Sequence, residues 1–195
     1  MIKPLMIVGL TALLAGCAGS ASRLDLAPVQ SQLSLRAAVG SAMVRTVSLP
    51  TYAAAEELSF EAADGLITSN NAVLWADDPA RAVTLALTRN IGAITSAKIG
   101  PDPWPFAGLP DVAIDVRVTR MLAGADGVFD LEGQFFVGGD GIDYANTTNG
   151  FAITAALTDV TPAAIAAAQA TAILQLSEQI SRIGKVGKIK KLQLA

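Results

Sequence analysis

Val112-Ala113-Ile114-Asp115-Val116-Arg117-Val118-Thr119 is the stretch on which the fold turns. Val112, Ile114, Val116 and Val118 alternate strictly with Ala113, Asp115, Arg117 and Thr119. A period of two sends alternate side chains to opposite faces of a strand. Gly124-Ala125-Asp126-Gly127 then reads as a turn, and Phe129, Leu131, Phe135 and Val137 share one face of a returning strand. Asp130, Glu132 and Gln134 take its other face. The pair predicts a hairpin with one buried and one solvated face, as in an antiparallel sheet covered on one side.

Towards the carboxyl end, Gly138-Gly139-Asp140-Gly141 reads as a second turn and Phe151 to Leu157 as a last strand. A long helix is expected from about Thr161, with Pro162 near its start. Ile173, Leu176, Ile180 and Ile183 form its apolar stripe, and Gly184 stands where a C-cap belongs. Towards the amino end, Gly100-Pro101-Asp102-Pro103-Trp104-Pro105 reads as a loop carrying an aromatic. Before it, Asp77-Asp78-Pro79 offers an acidic N-cap and a proline at the first helical position. Val83, Leu87, Ile91 and Ile94 give that helix one buried face, with Arg81, Thr84 and Thr88 off the stripe. Strand pieces are expected at Glu57 to Phe60 and at Leu66 to Trp75, the latter with a turn at Asn70-Asn71. Ala42 to Ser48 reads as another strand, and Arg23 to Pro28 as a short edge strand stopped by proline. The class is therefore α+β: a mainly antiparallel sheet with two amphipathic helices packed on one face.

Composition excludes more than it suggests. Of 195 residues, 52% are hydrophobic and 16% charged, which is a folded chain. There is no His and one Cys, so His-based triads, His/Cys zinc sites and disulfides are excluded. A formal charge of −3 argues against a nucleic-acid binder that works through bulk positive charge.

Residues 1–16 read as a signal peptide. Lys3 supplies a positive start, and Leu5 to Ala15 is an apolar run of 11 residues, where a span needs about 20. Leu14-Ala15-Gly16-Cys17 resembles the bacterial lipobox, in which the chain is cut before Cys and the new terminal Cys is lipidated. Cys17 is then the site of lipid attachment, holding the chain at a membrane. Residues 17–22 comprise that Cys and a small-residue tether, and residues 23–184 the body. Ala18 after the Cys, instead of Asp, favours the outer membrane by resemblance to lipoprotein sorting.

The candidates for chemistry each meet a plainer reading. Asp77 and Asp78 point about 100° apart at a helix start, so capping fits better than a catalytic pair. Asp140, Asp143 and Asn146 lack the ligand spacing of a calcium loop. Gly184 to Lys188 lacks the spacing of a phosphate loop and follows a helix instead of preceding one. No Ser-x-x-Lys occurs, and no cofactor is implied. The expectation is a non-enzyme. Residues 185–195 form a basic tail: with Arg182, the residues Lys185, Lys188, Lys190 and Lys191 give five positive charges and no acid. The stretch 18–181 carries 8 basic and 17 acidic side chains, a charge of −9. The tail is either a solvated end or a contact for an acidic partner surface or anionic lipid. Trp104 is a second candidate contact, and Trp75 suits the core as well as a contact.

Leu49-Pro50-Thr51-Tyr52, then Leu74-Trp75-Ala76-Asp77-Asp78-Pro79 opening a helix, then a long hairpin and an Ala/Leu-rich closing helix follow the lipobox. This order resembles the ABC-type transport auxiliary lipoproteins, the PqiC-like family. Two departures stand out. Ala53-Ala54-Ala55 replaces the charged stretch usual in that family, and Leu74 stands where it commonly has Arg. The resemblance implies a lipoprotein facing the periplasm that serves an MCE-type substrate-binding protein with its permease and ATPase in intermembrane lipid transport. A homo-oligomer is a further expectation, because an open sheet leaves edges to be paired. The alternative is an envelope lipoprotein that regulates cell-wall enzymes or is structural; gene neighbours would separate the two.

Overall fold

The computed structural model describes residues 21–139, 144 and 146–183. Eight strands and three helices follow in the order β1 (Ser22–Leu24), β2 (Ser41–Val44), α1 (Thr51–Ala54), β3 (Glu57–Glu61), β4 (Ile67–Trp75), α2 (Pro79–Ile94), β5 (Lys98–Pro101), β6 (Val112–Ala123), β7 (Val128–Gly138), β8 (Thr147–Ala156) and α3 (Pro162–Ile183).

The hairpin read from Val112 onward is the spine of one eight-stranded sheet. β6 pairs antiparallel with β7 along nearly its whole length, and β7 pairs antiparallel with β8 from Val128↔Ala156 to Val137↔Thr147. On the other edge of β6 the work is divided. Its first residues take β2 in parallel, Ala42↔Val112 to Val44↔Ile114, and its last takes β3 at Phe60↔Ala123. β5 lies outside β2, while β4 and then β1 lie outside β3. The long ladders are antiparallel, so the expected class holds; the short parallel pairings β1–β4, β2–β5, β2–β6 and β3–β6 were not legible.

Both long helices pack on one face of this sheet and against each other. Alternation decides which face: Val112, Ile114, Val116 and Val118 of β6 and Phe129, Leu131 and Phe135 of β7 are buried beneath them. The α2 stripe Val83, Leu87, Ile91 and Ile94 is buried, as are Ile173, Leu176 and Ile180 of α3. Each large aliphatic side chain so buried contributes about 1.5–3 kcal/mol. Ala166, Ala168, Ala170 and Ala172 are buried too, and their small side chains let α3 settle close to its neighbours.

Local chemistry sets the element ends. The Asp78 carboxylate accepts from the Arg81 backbone N–H at 2.8 Å, with Pro79 at the first helical position. Thr161 plays the same part for α3, its hydroxyl accepting from the Ala164 N–H at 3.3 Å. Gly127 takes a positive φ of 85° in the β6–β7 turn, where an L side chain would be strained.

Five expectations are corrected. β4 runs unbroken through Asn70-Asn71, because its turn chemistry is spent on a bulge. The register with β3 shifts between Glu57 and Leu58, and the Asn70 side chain accepts from the Ala72 N–H at 3.0 Å. Gly100 and Pro101 belong to β5 and not to a loop, since a parallel edge strand leaves half its backbone groups unpaired and tolerates proline. Thr84 is buried: its hydroxyl donates to the Ala80 carbonyl and accepts from the Val47 N–H at 3.0 Å. β1 stops at Leu24, short of Pro28. β2 proper ends at Val44, although the chain stays beside β6 as far as Ser48, which bridges Arg117. The one-turn α1 was not foreseen. The turn expected at 138–141 and the Gly184 C-cap fall wholly or partly outside the described residues.

Candidate functional site

The residues expected to make contacts meet different fates. Cys17, Lys185, Lys188, Lys190 and Lys191 lie outside the described residues, as do Asp140 and Asp143. Trp75 is 8% exposed and belongs to the core. Arg23 donates to its carbonyl at 2.9 Å, fastening β1 to the end of β4. Asp77 and Asp78 cap α2, and Asp77 also pairs with Arg81. Asp159 serves the start of α3, and hydrogen bonds from Thr161 hold its carboxyl below the usual carboxylate range. Asp77, Asp78 and Asp159 thus serve the starts of helices.

The Leu49-Pro50-Thr51-Tyr52 segment is structural. One helical turn forms as the Ala53 and Ala54 N–H groups donate to the Pro50 carbonyl. That turn aims Tyr52 at β6, where its hydroxyl accepts from the Met121 N–H at 3.1 Å. β2 has left this edge of β6 and β3 reaches it only at Ala123, so Tyr52 satisfies a donor the ladder leaves open. Close by, Arg120 bridges Glu61 at 2.5 Å and Asp130 at 2.9 Å, tying β3, β6 and β7 across the uncovered face. Both carboxylates raise the Arg120 pKa.

Trp104 is partly buried. Its ring lies over Gly100, where an added Cβ would come within 2.9 Å of the indole and 2.8 Å of Pro105. It meets Phe106 edge-on with centroids 4.9 Å apart, and the Lys98 ammonium sits 5.0 Å from the Phe106 centroid. Its indole N–H is buried without a hydrogen-bond partner among the described residues. Gly100 is thus required by contact, and Trp104 fixes the 102–111 loop instead of presenting itself. The exposed apolar side chains of that loop are Phe106 and Leu109, at 41% and 79% exposure. Sequence reasoning missed both, although a Pro-rich loop between two strands was the signal available.

That loop returns from β5 to β6 across the face of the sheet that the helices leave free. Asp111 fastens its end, accepting from the Gly40 and Ser41 N–H groups at 2.7 and 3.0 Å. Between the loop and β6–β7 lies a groove of about 410 Å³. Met43 and Ala113 line it from β2 and β6, Leu109 and Pro110 from the loop, and Phe136 from β7. Arg117 stacks on Phe136, 5.2 Å from its centroid, and forms a two-point pair with Asp115 at 3.1 and 3.2 Å. Arg45 also lines the groove. None of these residues announces itself in the sequence.

Charges of both signs are interleaved along the molecule: Arg120 stands between Glu61 and Asp130 towards the β6–β7 turn, and Arg117 pairs with Asp115 and Arg182 with Glu178. Among the described residues no cluster of three or more acidic or Cys ligands could hold a metal, and no helix is long and apolar enough to cross a membrane.

Comparison with known proteins places this architecture. A crystal structure of an uncharacterized protein superposes with a TM-score of 0.66 at 18% identity, covering 83% of this chain and 98% of that one. The crystal structure of protein XCC0632 from Xanthomonas campestris, of the DUF330 family, gives 0.67 at 13% identity, covering 84% and 95%. At such identities the likeness is one of fold. No curated protein matches the sequence. Residues 24–181 match the family model described as ABC-type transport auxiliary lipoprotein component, which takes in the Tyr52 segment, the Trp75 segment, the hairpin and nearly all of α3. On that match over most of its length, the chain belongs to the family of ABC-type transport auxiliary lipoprotein components.

Proposed function

We propose that the protein is a membrane-anchored docking component of an intermembrane lipid transport system. Cys17 carries the lipids, the outer membrane holds them, and the body faces the periplasm. An MCE-type substrate-binding protein, working with its permease and ATPase, docks on that body. The observation that carries this reading is the family match beginning at residue 24, close behind Cys17. Residues 18–22 span at most ~18 Å when extended, so the body stays near its membrane and the partner comes to it.

Two features support docking in place of chemistry. The sequence that follows α3 carries Lys185, Lys188, Lys190 and Lys191 and no acid, a charge that suits an acidic partner surface. Among the described residues the ten-residue strand β8 pairs with β7 alone, and its other edge invites a strand from a partner or from a second copy.

Four measurements test this reading. Cys17→Ser should abolish palmitate labelling in cells and leave the chain unprocessed or unlipidated; equal label on both forms would end the anchoring claim. Affinity capture with the full lipidated chain from an envelope extract should recover an MCE-type protein, and light scattering should report self-association. Recovery of no MCE-type protein, together with an unchanged outer-membrane barrier on deletion, would end the docking claim.

A further inference from the structure

Two adjacent aliphatic side chains stand in water at the tip of the β3–β4 hairpin, Leu66 at 65% and Ile67 at 46% exposure. Single exposed aliphatics are ordinary, but this pair sits on a turn built to hold it. The Ala62 N–H donates to the Leu66 carbonyl at 2.8 Å, and the Gly65 N–H to the Ala62 carbonyl at 2.9 Å. The Asp64 carboxylate accepts from the Leu66 N–H at 3.0 Å, and Gly65 takes a φ of 80° that an L side chain rarely adopts. The hairpin stands clear of the body here, since every residue from Ile67 to Ala72 except Asn70 is exposed.

The anchor reaches this same end of the molecule. β1 is parallel to β4, so its amino-terminal end points along β4 towards Ile67. Arg23 is level with Leu74 and Glu57, and three residues further Phe60 pairs with Ala123 at the end of β6. At ~3.4 Å per residue, the chain enters the body about 10 Å from the Ala123 end of β6 and about 27 Å from its Val112 end. The links from Cys17 to Ser22 extend at most ~18 Å, which spans the first distance and not the second. Charge narrows the surface that this end can meet. The loops there, 62–67, 124–127 and 157–161, carry Asp64, Asp126 and Asp159 and no Lys or Arg. Arg120, on the strand leading to them, is held by Glu61 and Asp130. Acids without a free cation beside them suit a zwitterionic lipid surface and are repelled by an anionic one.

We propose that the β3–β4 tip is where the body touches its membrane, with Leu66 and Ile67 set into the headgroup–acyl boundary of a zwitterionic bilayer. The proposal deepens the anchoring reading above and rests on lipid at Cys17. The acyl chains bring the tip to the surface, and the two side chains then fix which end of the body faces it. Leu109, three residues before β6 begins, is thereby held away from that surface.

A nitroxide reads this orientation. Once Cys17 is acylated the chain has no other thiol, so Ala63→Cys at the tip and Leu109→Cys at the far end each take a single label. The full lipidated chain, its acyl groups verified by mass, is added to preformed vesicles of phosphatidylethanolamine and phosphatidylcholine. Collision with a water-soluble nickel chelate should be about threefold rarer for the label at position 63 than at position 109. Leu66→Ser together with Ile67→Ser should erase that difference and leave the value at position 109 unchanged. Leu66→Ser alone, the milder change, should reduce it by about half. Phosphatidylglycerol in the vesicles should reduce it as well. Equal collision at both positions, shielding that survives the loss of both aliphatic side chains, or shielding at position 109 instead would overturn the proposal. Shielding strengthened by phosphatidylglycerol would overturn it too, because the charge argument would be reversed. Spectral broadening between labels at position 63 that disappears on dilution with unlabelled protein would assign the tip to a second copy, with the same consequence. Failure here is separable from failure of the anchoring reading. Acyl groups on the chain with position 63 fully wet end this proposal alone, whereas a wild-type chain without acyl groups ends both.

Discussion

Phe135 and Phe136 are neighbours on β7, and they live in different worlds. Phe135 points under the helices and is 0% exposed, 6.4 Å between centroids from Phe151 on β8. Phe136 points the other way, forms a wall of the groove and carries the Arg117 guanidinium on its ring. One step along the strand changes a side chain's task from filling the interior to lining the groove. The covered face is a packed interior that fixes every neighbour. The uncovered face is held by a few polar ties, chiefly Arg120 to Glu61 and Asp130, with a loop laid across one corner. Substitutions on the two faces should therefore differ in size of effect: the first leaves a sealed cavity, the second a space open to solvent.

The sharpest test of that difference is Phe135→Ala. Removing a fully buried aromatic ring leaves a cavity among Phe151, Val116 and the α3 stripe, and such changes cost about 3–5 kcal/mol. Urea unfolding should show the midpoint fall sharply with the slope unchanged. A loss under 1 kcal/mol would mean that the face beneath the helices is not closely packed.

Tyr52→Phe comes next. It keeps the ring and removes only the hydroxyl that accepts from the Met121 N–H. An unpartnered donor in this partly buried place costs about 1–3 kcal/mol. Hydrogen exchange at the Met121 amide should accelerate more than at neighbouring β6 amides, which distinguishes this loss from general weakening. Asp78→Ala should cost about 1 kcal/mol through the lost α2 cap, read as earlier fraying of Pro79–Ile94.

These residues also mark what a sequence can and cannot reveal. Period two exposed the hairpin because every second residue from Val112 to Val118 meets the same interior, and a repeated environment leaves a repeated pattern. The α2 cap was legible because Asp followed by Pro does one job at one place. Asn70-Asn71 misled because the same side-chain chemistry serves a turn and a bulge, and only the partner strand decides between them. Gly100 misled because its reason is the indole that arrives from four residues on. Thr84 looked like surface because its partner, the Val47 N–H, lies far back in the chain. Phe136 could not be singled out at all. Its place in the groove wall comes from a loop that crosses the sheet, which leaves no spacing in the sequence.

The smallest expected effect completes the contrast. Phe136→Ala removes as large a ring as Phe135→Ala, from the same strand, one position away. On the uncovered face the ring is only partly buried, and the space it leaves opens to solvent instead of becoming a sealed void, so no cavity term is added to the lost burial. Part of what it contributes is support for Arg117, whose pair with Asp115 is solvent-exposed and adds little to stability. The expected loss is about 1 kcal/mol or less, against about 3–5 for its neighbour. If Phe136→Ala unfolds the protein as readily as Phe135→Ala, the uncovered face is a second core and something within the chain covers it.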